Sequence, residues 1–171
     1  MKKIGKKEIV LLVLAILVFL SALGYFCYKE IPELIKPKVY YRTYTKEKGW
    51  TKWSKNGETS GTGNDITAIQ IKLKSFEKGS IKYNISYDGI NYDDKVSEDN
   101  NVKGNKEKGI KAFRVMLNKD ISKKYYANYR SSTKKTKWDS FTSESKSSYP
   151  WPITSNYKTI KYIQIRIDER R

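Results

Sequence analysis

TAIQIKL, residues 67–73, decides how the rest of the chain is read. Ile69, Ile71 and Leu73 alternate with Gln70 and Lys72, the period of two that marks a strand with one face toward a core. The pattern returns as KAFRVML at 111–117, with Phe113, Val115 and Leu117, and as KYIQIRI at 161–167, with Ile163, Ile165 and Ile167. Similar strands recurring 44 and then 50 residues apart signal an internal repeat in which each strand closes one unit.

Working back from the closing strands, YRTYTKEKGWTKW at 41–53 matches YRSSTKKTKWDSF at 129–141. An offset of 88 pairs Tyr41 with Tyr129, Arg42 with Arg130, Thr45 with Thr133, Lys46 with Lys134 and Trp50 with Trp138, and Trp53 falls on Phe141. A weaker middle copy, GSIKYNISYDGINYDDKV at 79–96, sets Tyr83 in place of Tyr41 and Tyr92 in place of Trp50. These openings are rich in Tyr, Thr, Ile and Trp, which suits strands, and Gly57, Gly61, Gly63, Gly79, Asp88-Gly89 and Gly104 punctuate them as turns. No convincing helical period follows residue 38. The sequence predicts an all-β domain of three units, 39–78, 79–118 and 119–171, closing around a pseudo-threefold axis as a β-prism, with a β-trefoil as the alternative.

Ahead of this domain stands MKKIGKK and then an apolar run from Ile9 to Cys27 that only Ser21 interrupts. Such a run is about long enough to cross a ~30 Å hydrocarbon core as a helix. The lysines before it place residues 1–7 in the cytoplasm as a basic tail, residues 8–28 as a transmembrane signal-anchor and the remainder outside the cell. A cleaved signal peptide competes, since Ala22-Leu23-Gly24 offers small residues at a cleavage site, although the run exceeds the usual h-region. Phe26 before Cys27 is wrong for a lipobox. Either leading reading exports the rest of the chain. Residues 29–38, KEIPELIKPK, read as a short linker, because two prolines disfavour a continuous helix.

The chain of 171 residues carries a formal charge of +17. The first eight residues account for +3, leaving +14 on the remainder. That field attracts polyanions without choosing among them. Cys27 stands alone and histidine is absent, which excludes an intramolecular disulfide, a histidine-based triad and a histidine metal site. Asp88-Gly89-Ile90-Asn91-Tyr92-Asp93-Asp94 has calcium-like oxygen density but lacks the full spacing and closing glutamate of a calcium loop, so it reads as a β-turn. No carboxylate pair, phosphate-binding glycine loop or nucleophile elbow emerges. The expectation is a protein that is no enzyme and needs no cofactor or metal.

YYRTYTKEKGWTKWSKNGETSGTGNDITAIQIKL, residues 40–73, resembles the ChW repeat, the clostridial hydrophobic repeat with a conserved tryptophan. The matching features are Tyr41, Gly49-Trp50, Trp53, Asn56-Gly57, Ser60-Gly61-Thr62, Gly63 and the closing AIQIKL. The resemblance implies tandem β modules on an exported protein of a Gram-positive bacterium, with adhesion and polysaccharide binding as roles. Unit 2 departs from it in having no tryptophan and no NG…SGTG segment. Unit 3 keeps Trp138 but adds SESKSSYPWPITSNYK at 143–158. Tyr44 stands where family members often have a first-strand histidine.

The candidate ligand-binding residues are Trp53, Trp151, Tyr44, Trp50 and Lys52. Recurrence of Trp50 as Trp138 and Tyr92 points to the core of each unit. Trp53, replaced by Lys95 and Phe141, is left open between core and sugar-stacking platform. Trp151, between Pro150 and Pro152, belongs to a loop that either plugs the surface or displays the indole. The basic run KKYYANYRSSTKKTK at 123–137 reads as a solvated strand face, with phosphate gripping as its alternative. The partners expected are cell-wall polysaccharide or an anionic wall polymer, with the membrane engaged by the N-terminal helix. The alternatives are docking of another exported protein, by strand addition or an aromatic patch, and polyanion binding by charge alone. An exported domain is not expected to meet nucleic acid.

Overall fold

The computed structural model describes residues 5–143 and 158–170, and the chain divides into two compact units between Lys36 and Pro37. The first unit is a helix, α1 (Lys6–Ile35). Its stretch Leu11–Tyr28 is long and apolar enough to cross a membrane. Within it, Ser21 Oγ turns back and donates to Val18 O at 2.8 Å, which satisfies it within the helix.

The helix runs further than the linker expectation allows, passing through Pro32 to Ile35. Proline removes a single intrahelical hydrogen bond and bends the path, which a long helix tolerates. Pro37 lies beyond the helix end, where no such bond is needed.

The second unit is mostly β-sheet, arranged as three open sheets. In the first, β1 (Lys38–Thr45) pairs antiparallel along its length with β4 (Ile66–Lys74). On its other edge it holds the two-residue strands β2 (Gly49–Trp50) and β3 (Ser54–Lys55). The second sheet sets β5 (Ile81–Ser86) between β8 (Ala112–Leu117) and β6 (Ser97–Glu98), with a single bridge from Ser86 to Tyr92. A further two-residue strand, β7 (Val102–Lys103), leaves this unit and pairs with β4. After a one-turn helix, α2 (Ile121–Lys124), the third sheet sets β9 (Tyr125–Lys134) between β12 (Tyr162–Glu169) and the short β10 (Lys137–Trp138) and β11 (Thr142–Ser143). Each sheet is thus built on one long antiparallel hairpin: β1–β4, β5–β8 and β9–β12.

Three isoleucines at the starts of the closing segments tie the hairpins to one another. Ile66 N–H donates to Ile160 O at 2.9 Å, Ile160 N–H to Ile110 O at 2.8 Å, and Ile110 N–H to Ile66 O at 2.8 Å, a closed cycle of backbone bonds. All three side chains are buried, together with Val39, Ile71, Ile85, Phe113, Val115, Ile165 and the repeat tyrosines Tyr41, Tyr83 and Tyr129. Tyr41 Oη donates to Glu58 O; Tyr83 Oη donates to Asn101 O and accepts from Ile71 N–H at 3.3 Å. A buried phenol is held neutral, and burial pushes both tyrosines up to about 12.

The NG…SGTG segment that unit 2 lacks in sequence is present in geometry. Gly57 N–H donates to Ile165 O, and Asn100 N–H donates to Ile71 O, both at 2.7 Å. Asn56 Oδ1 accepts from Ile167 N–H at 3.0 Å, and Asp99 Oδ1 accepts from Leu73 N–H at 2.8 Å. Asp99-Asn100 thus replaces Asn56-Gly57, with Asn100 at φ +66°, a left-handed angle that asparagine tolerates. Lys103-Gly104 likewise replaces Ser60-Gly61. Ser60 bridges to Ile163 and Lys103 pairs with Ile69, so the loops of units 1 and 2 both cross onto the closing segment of another unit. A Cβ at Gly61 would run into Lys161 O and Tyr162 Cα, and one at Gly104 into Thr67 O and Ala68 Cα, which is why both crossings use glycine.

The side chains behind these glycines have diverged. Ser60 Oγ lies 3.2 Å from Thr43 Oγ1 and 3.0 Å from Thr51 Oγ1. Lys103 carries its ammonium into the same place in unit 2, 2.9 Å from Asp93 Oδ2 and 2.5 Å from Lys95 O, with the side chain 10% exposed. A hydroxyl cluster and an ion pair fill equivalent space, each with polar partners close by.

Candidate functional site

Strand parity decides which side chains of β1 are available. Val39, Tyr41, Thr43 and Thr45 point inward, leaving Tyr40, Arg42 and Tyr44 on the outer face. Trp50 is the cross-strand partner of Tyr44, and opposed residues share a face, so Trp50 lies outside as well. The expectation that Trp50 anchors the core is corrected: it is half-buried against Tyr44, with ring centroids 5.4 Å apart and planes at 67°.

Arg42 organises this face. Its Nε donates to Gln70 Oε1 at 2.8 Å across the β1–β4 pair. Gln70 is held in turn, its Nε2 donating to Asn100 O at 2.7 Å. The guanidinium, fixed in rotation, lies 4.6 Å from the Trp50 ring centroid and 4.8 Å from that of Trp53. Beyond Trp53 comes Lys72 Nζ at 4.1 Å, which also lies 5.8 Å from the Tyr40 ring. The result is a ladder in which cations alternate with aromatic rings, worth about 0.5–1 kcal/mol per contact at exposed sites.

Unit 3 builds the same ladder. Arg130 Nε donates to Gln164 Oε1 at 2.7 Å, and its guanidinium lies 4.8 Å from Trp138 and 4.3 Å from Phe141. Arg166 then reaches Phe141 at 4.3 Å, as Lys72 reaches Trp53. Unit 2 keeps one rung. There Asn84 stands opposite Arg114, so the arginine has moved to the closing strand, and it lies 4.5 Å from Tyr92. Asn84 donates to Asp93 O at 2.6 Å instead of holding the guanidinium. Arg114 Nε is buried without a hydrogen-bond partner among the described residues.

Of the residues singled out from the sequence, Trp50, Trp53 and Tyr44 converge on the Arg42 ladder. Lys106 Nζ, from the unit 2 loop, reaches the Tyr44 ring at 5.1 Å. Lys52 is exposed on the segment between the two tryptophans. Trp151 lies outside the described residues. Sequence reasoning missed Arg42, Gln70 and Lys72 and their counterparts Arg130, Gln164 and Arg166. The signal was present in the matched Arg42 and Arg130 and in the shared IQI of two closing segments.

Asp88 forms the turn that its sequence suggests. Its carboxylate accepts from Ile90 N–H and Asn91 N–H at 2.8 Å each, from Ser86 Oγ at 2.8 Å and from Asn91 Nδ2 at 2.7 Å. These bonds, led by the one from Ile90, hold the carboxyl well below the usual carboxylate range. In the basic run at 123–137, Arg130 is taken up by the ladder, and Lys123 and Lys124 pair with Asp120 and Glu77 at 2.8 and 2.6 Å.

No family model matches the chain, and no curated protein or solved structure shows significant similarity to it.

Proposed function

We propose that this chain is a non-catalytic, membrane-anchored surface protein whose β domain binds anionic wall polysaccharide through the outer ladders of units 1 and 3. The observation that carries the reading is the Arg–Gln clamp between two aromatic rings, kept at Arg42 and Arg130 while the surrounding sequence diverges. A guanidinium fixed by a neutral amide retains donors for a carboxylate or phosphate, and holding it in place lowers the ordering cost of binding. The rings beside it offer an apolar surface to the faces of sugar residues. The likeness of residues 40–73 to the ChW repeat supports the same reading. The cycle of bonds through Ile66, Ile110 and Ile160 supports closure of the three hairpins around a pseudo-threefold axis, as in a β-prism.

The test is retention of the full-length chain, in detergent, on purified wall material and on defined neutral and anionic polysaccharides over a salt series. The reading predicts that a salt-resistant component survives and is lost in a folded Trp53→Ala protein. Retention that vanishes with salt equally in both proteins marks charge-driven polyanion binding, because screening acts on exposed charges. Retention with no glycan dependence marks docking to another protein.

A further inference from the structure

The end of the β domain where the chain enters from helix α1 is built differently from the ladder faces. Lys38, the first residue of β1, pairs with Lys74, the last of β4. From there the chain turns through Phe76, an aromatic side chain left 80% exposed at the tip of the loop to β5. The same loop is stitched to helix α2, and α2 in turn to Arg170, just past the end of β12. Ile121 N–H donates to Lys78 O at 3.1 Å, and Arg170 N–H donates to Lys124 O at 2.7 Å. Lys124 Nζ meets Glu77 at 2.6 Å, and Arg170 Nε donates to Ser122 O at 2.8 Å.

One end of the domain therefore gathers basic groups around a single bare aromatic ring. Glu77 and Asp120 are neutralised by Lys124 and Lys123. Lys38, Lys74, Lys78 and Lys119 form no ion pair among the described residues, although the Glu98 carboxylate lies near enough to Lys119 to feel its charge. An exposed large aromatic ringed by lysines is the side-chain pattern of an interfacial anchor: the ring enters the headgroup boundary and the ammonium groups stay among phosphates. The chain sets the reach. Only nine residues, 29–37, separate Tyr28, the end of the membrane-crossing stretch, from Lys38, and α1 covers seven of them at about 1.5 Å each.

We infer that this end of the β domain rests on anionic phospholipid headgroups of the membrane that α1 crosses, with Phe76 inserted at the interface and Lys74, Lys78 and Lys119 on phosphates. The inference depends on α1 remaining in the chain as an anchor and is independent of what the ladders bind.

The test places a spin label on the full-length chain in a Cys27→Ser background, at Phe76→Cys or, as a control in the turn after β1, at Lys48→Cys. The chain is reconstituted in phosphatidylcholine bilayers with and without phosphatidylglycerol, and label exposure is read from relaxation by oxygen and by an aqueous nickel chelate. The expected result is that, with phosphatidylglycerol, the label at 76 loses most of its exposure to nickel and gains exposure to oxygen, while the label at 48 stays aqueous. Charge reversal by Lys74→Glu, Lys78→Glu and Lys119→Glu, with unchanged circular dichroism, returns the label at 76 to water. A label at 76 as exposed to nickel as the one at 48 in both lipids overturns the proposal. So does a label at 76 that is equally shielded with and without phosphatidylglycerol.

Discussion

Units 1 and 2 share an inner face and differ in the outer one. Inside, Tyr41 and Tyr83 are both fully buried, each donating its hydroxyl to a carbonyl of its own loop, and Ile66 and Ile110 occupy equivalent places in one hydrogen-bonded cycle. Outside, unit 1 has two tryptophans, a clamped arginine and a lysine in one ladder, whereas unit 2 has separate contacts of Arg114 with Tyr92 and Lys108 with Tyr87. The fold needs three inner faces to close its core; it does not need three ladders. The ladder that units 1 and 3 share outside, and unit 2 lacks, is the surface to which we assign the proposed binding.

If the inner faces are equivalent, damage to any of them costs alike. Ile66→Ala and Ile110→Ala are each expected to destabilise by about 2–5 kcal/mol, through lost burial and the cavity left behind. Denaturant unfolding of the two variants checks this, and a large difference between them breaks the equivalence.

Alkali probes the same faces. The folded-state values of Tyr41 and Tyr83 are raised to about 12 by burial. A raised value means stability is fully present below the unfolded tyrosine pKa near 10 and is lost as pH climbs through 12, by about 3 kcal/mol per tyrosine. Unfolding followed between pH 9 and 12 is expected to show this loss, and Tyr41→Phe and Tyr83→Phe to reduce it by similar amounts.

Next in size is the unit 2 crossing. Gly104→Ala, at φ +120° with its Cβ against Thr67 O and Ala68, is expected to cost about 2 kcal/mol or more. A melting temperature close to that of the native chain would show that unit 2 does not cross as unit 1 does at Gly61.

The outer face is expected to matter little to stability. Gln70→Ala leaves Arg42 unclamped and is expected to cost about 1 kcal/mol, and Trp53→Ala about 1 kcal/mol or less. Both changes are expected to reduce polysaccharide retention, while Arg114→Gln in unit 2 leaves it unchanged. Equal loss from all three would erase the distinction between the faces.

The inner face was legible because it is periodic. Alternation in TAIQIKL and its counterparts places the closing strands, and the matched Tyr41, Tyr83 and Tyr129 mark one buried tyrosine in each of β1, β5 and β9. The ladder was not legible because its bonds span strands: Arg42 and Gln70 are 28 residues apart, Arg130 and Gln164 are 34. An outward polar position on an alternating strand reads as solvated until its cross-strand partner is known. Trp50 was drawn toward the core by its recurrence, whereas parity from buried Tyr41 through its neighbour Tyr44 sends it outward. The NG and SGTG geometry of unit 2 was hidden because Asp99-Asn100 and Lys103-Gly104 do the same backbone work with other side chains.

The most direct measurement is a ¹H–¹⁵N spectrum of the full-length chain in nanodiscs, following indole and arginine Nε–H signals as an anionic wall polysaccharide is added. The predicted result is that Trp50, Trp53 and Trp138 shift together with Arg42 and Arg130 while Arg114 stays in place. Unmoved indoles, with shifts spread over exposed lysines and removed by salt, would contradict a ladder-based binding site.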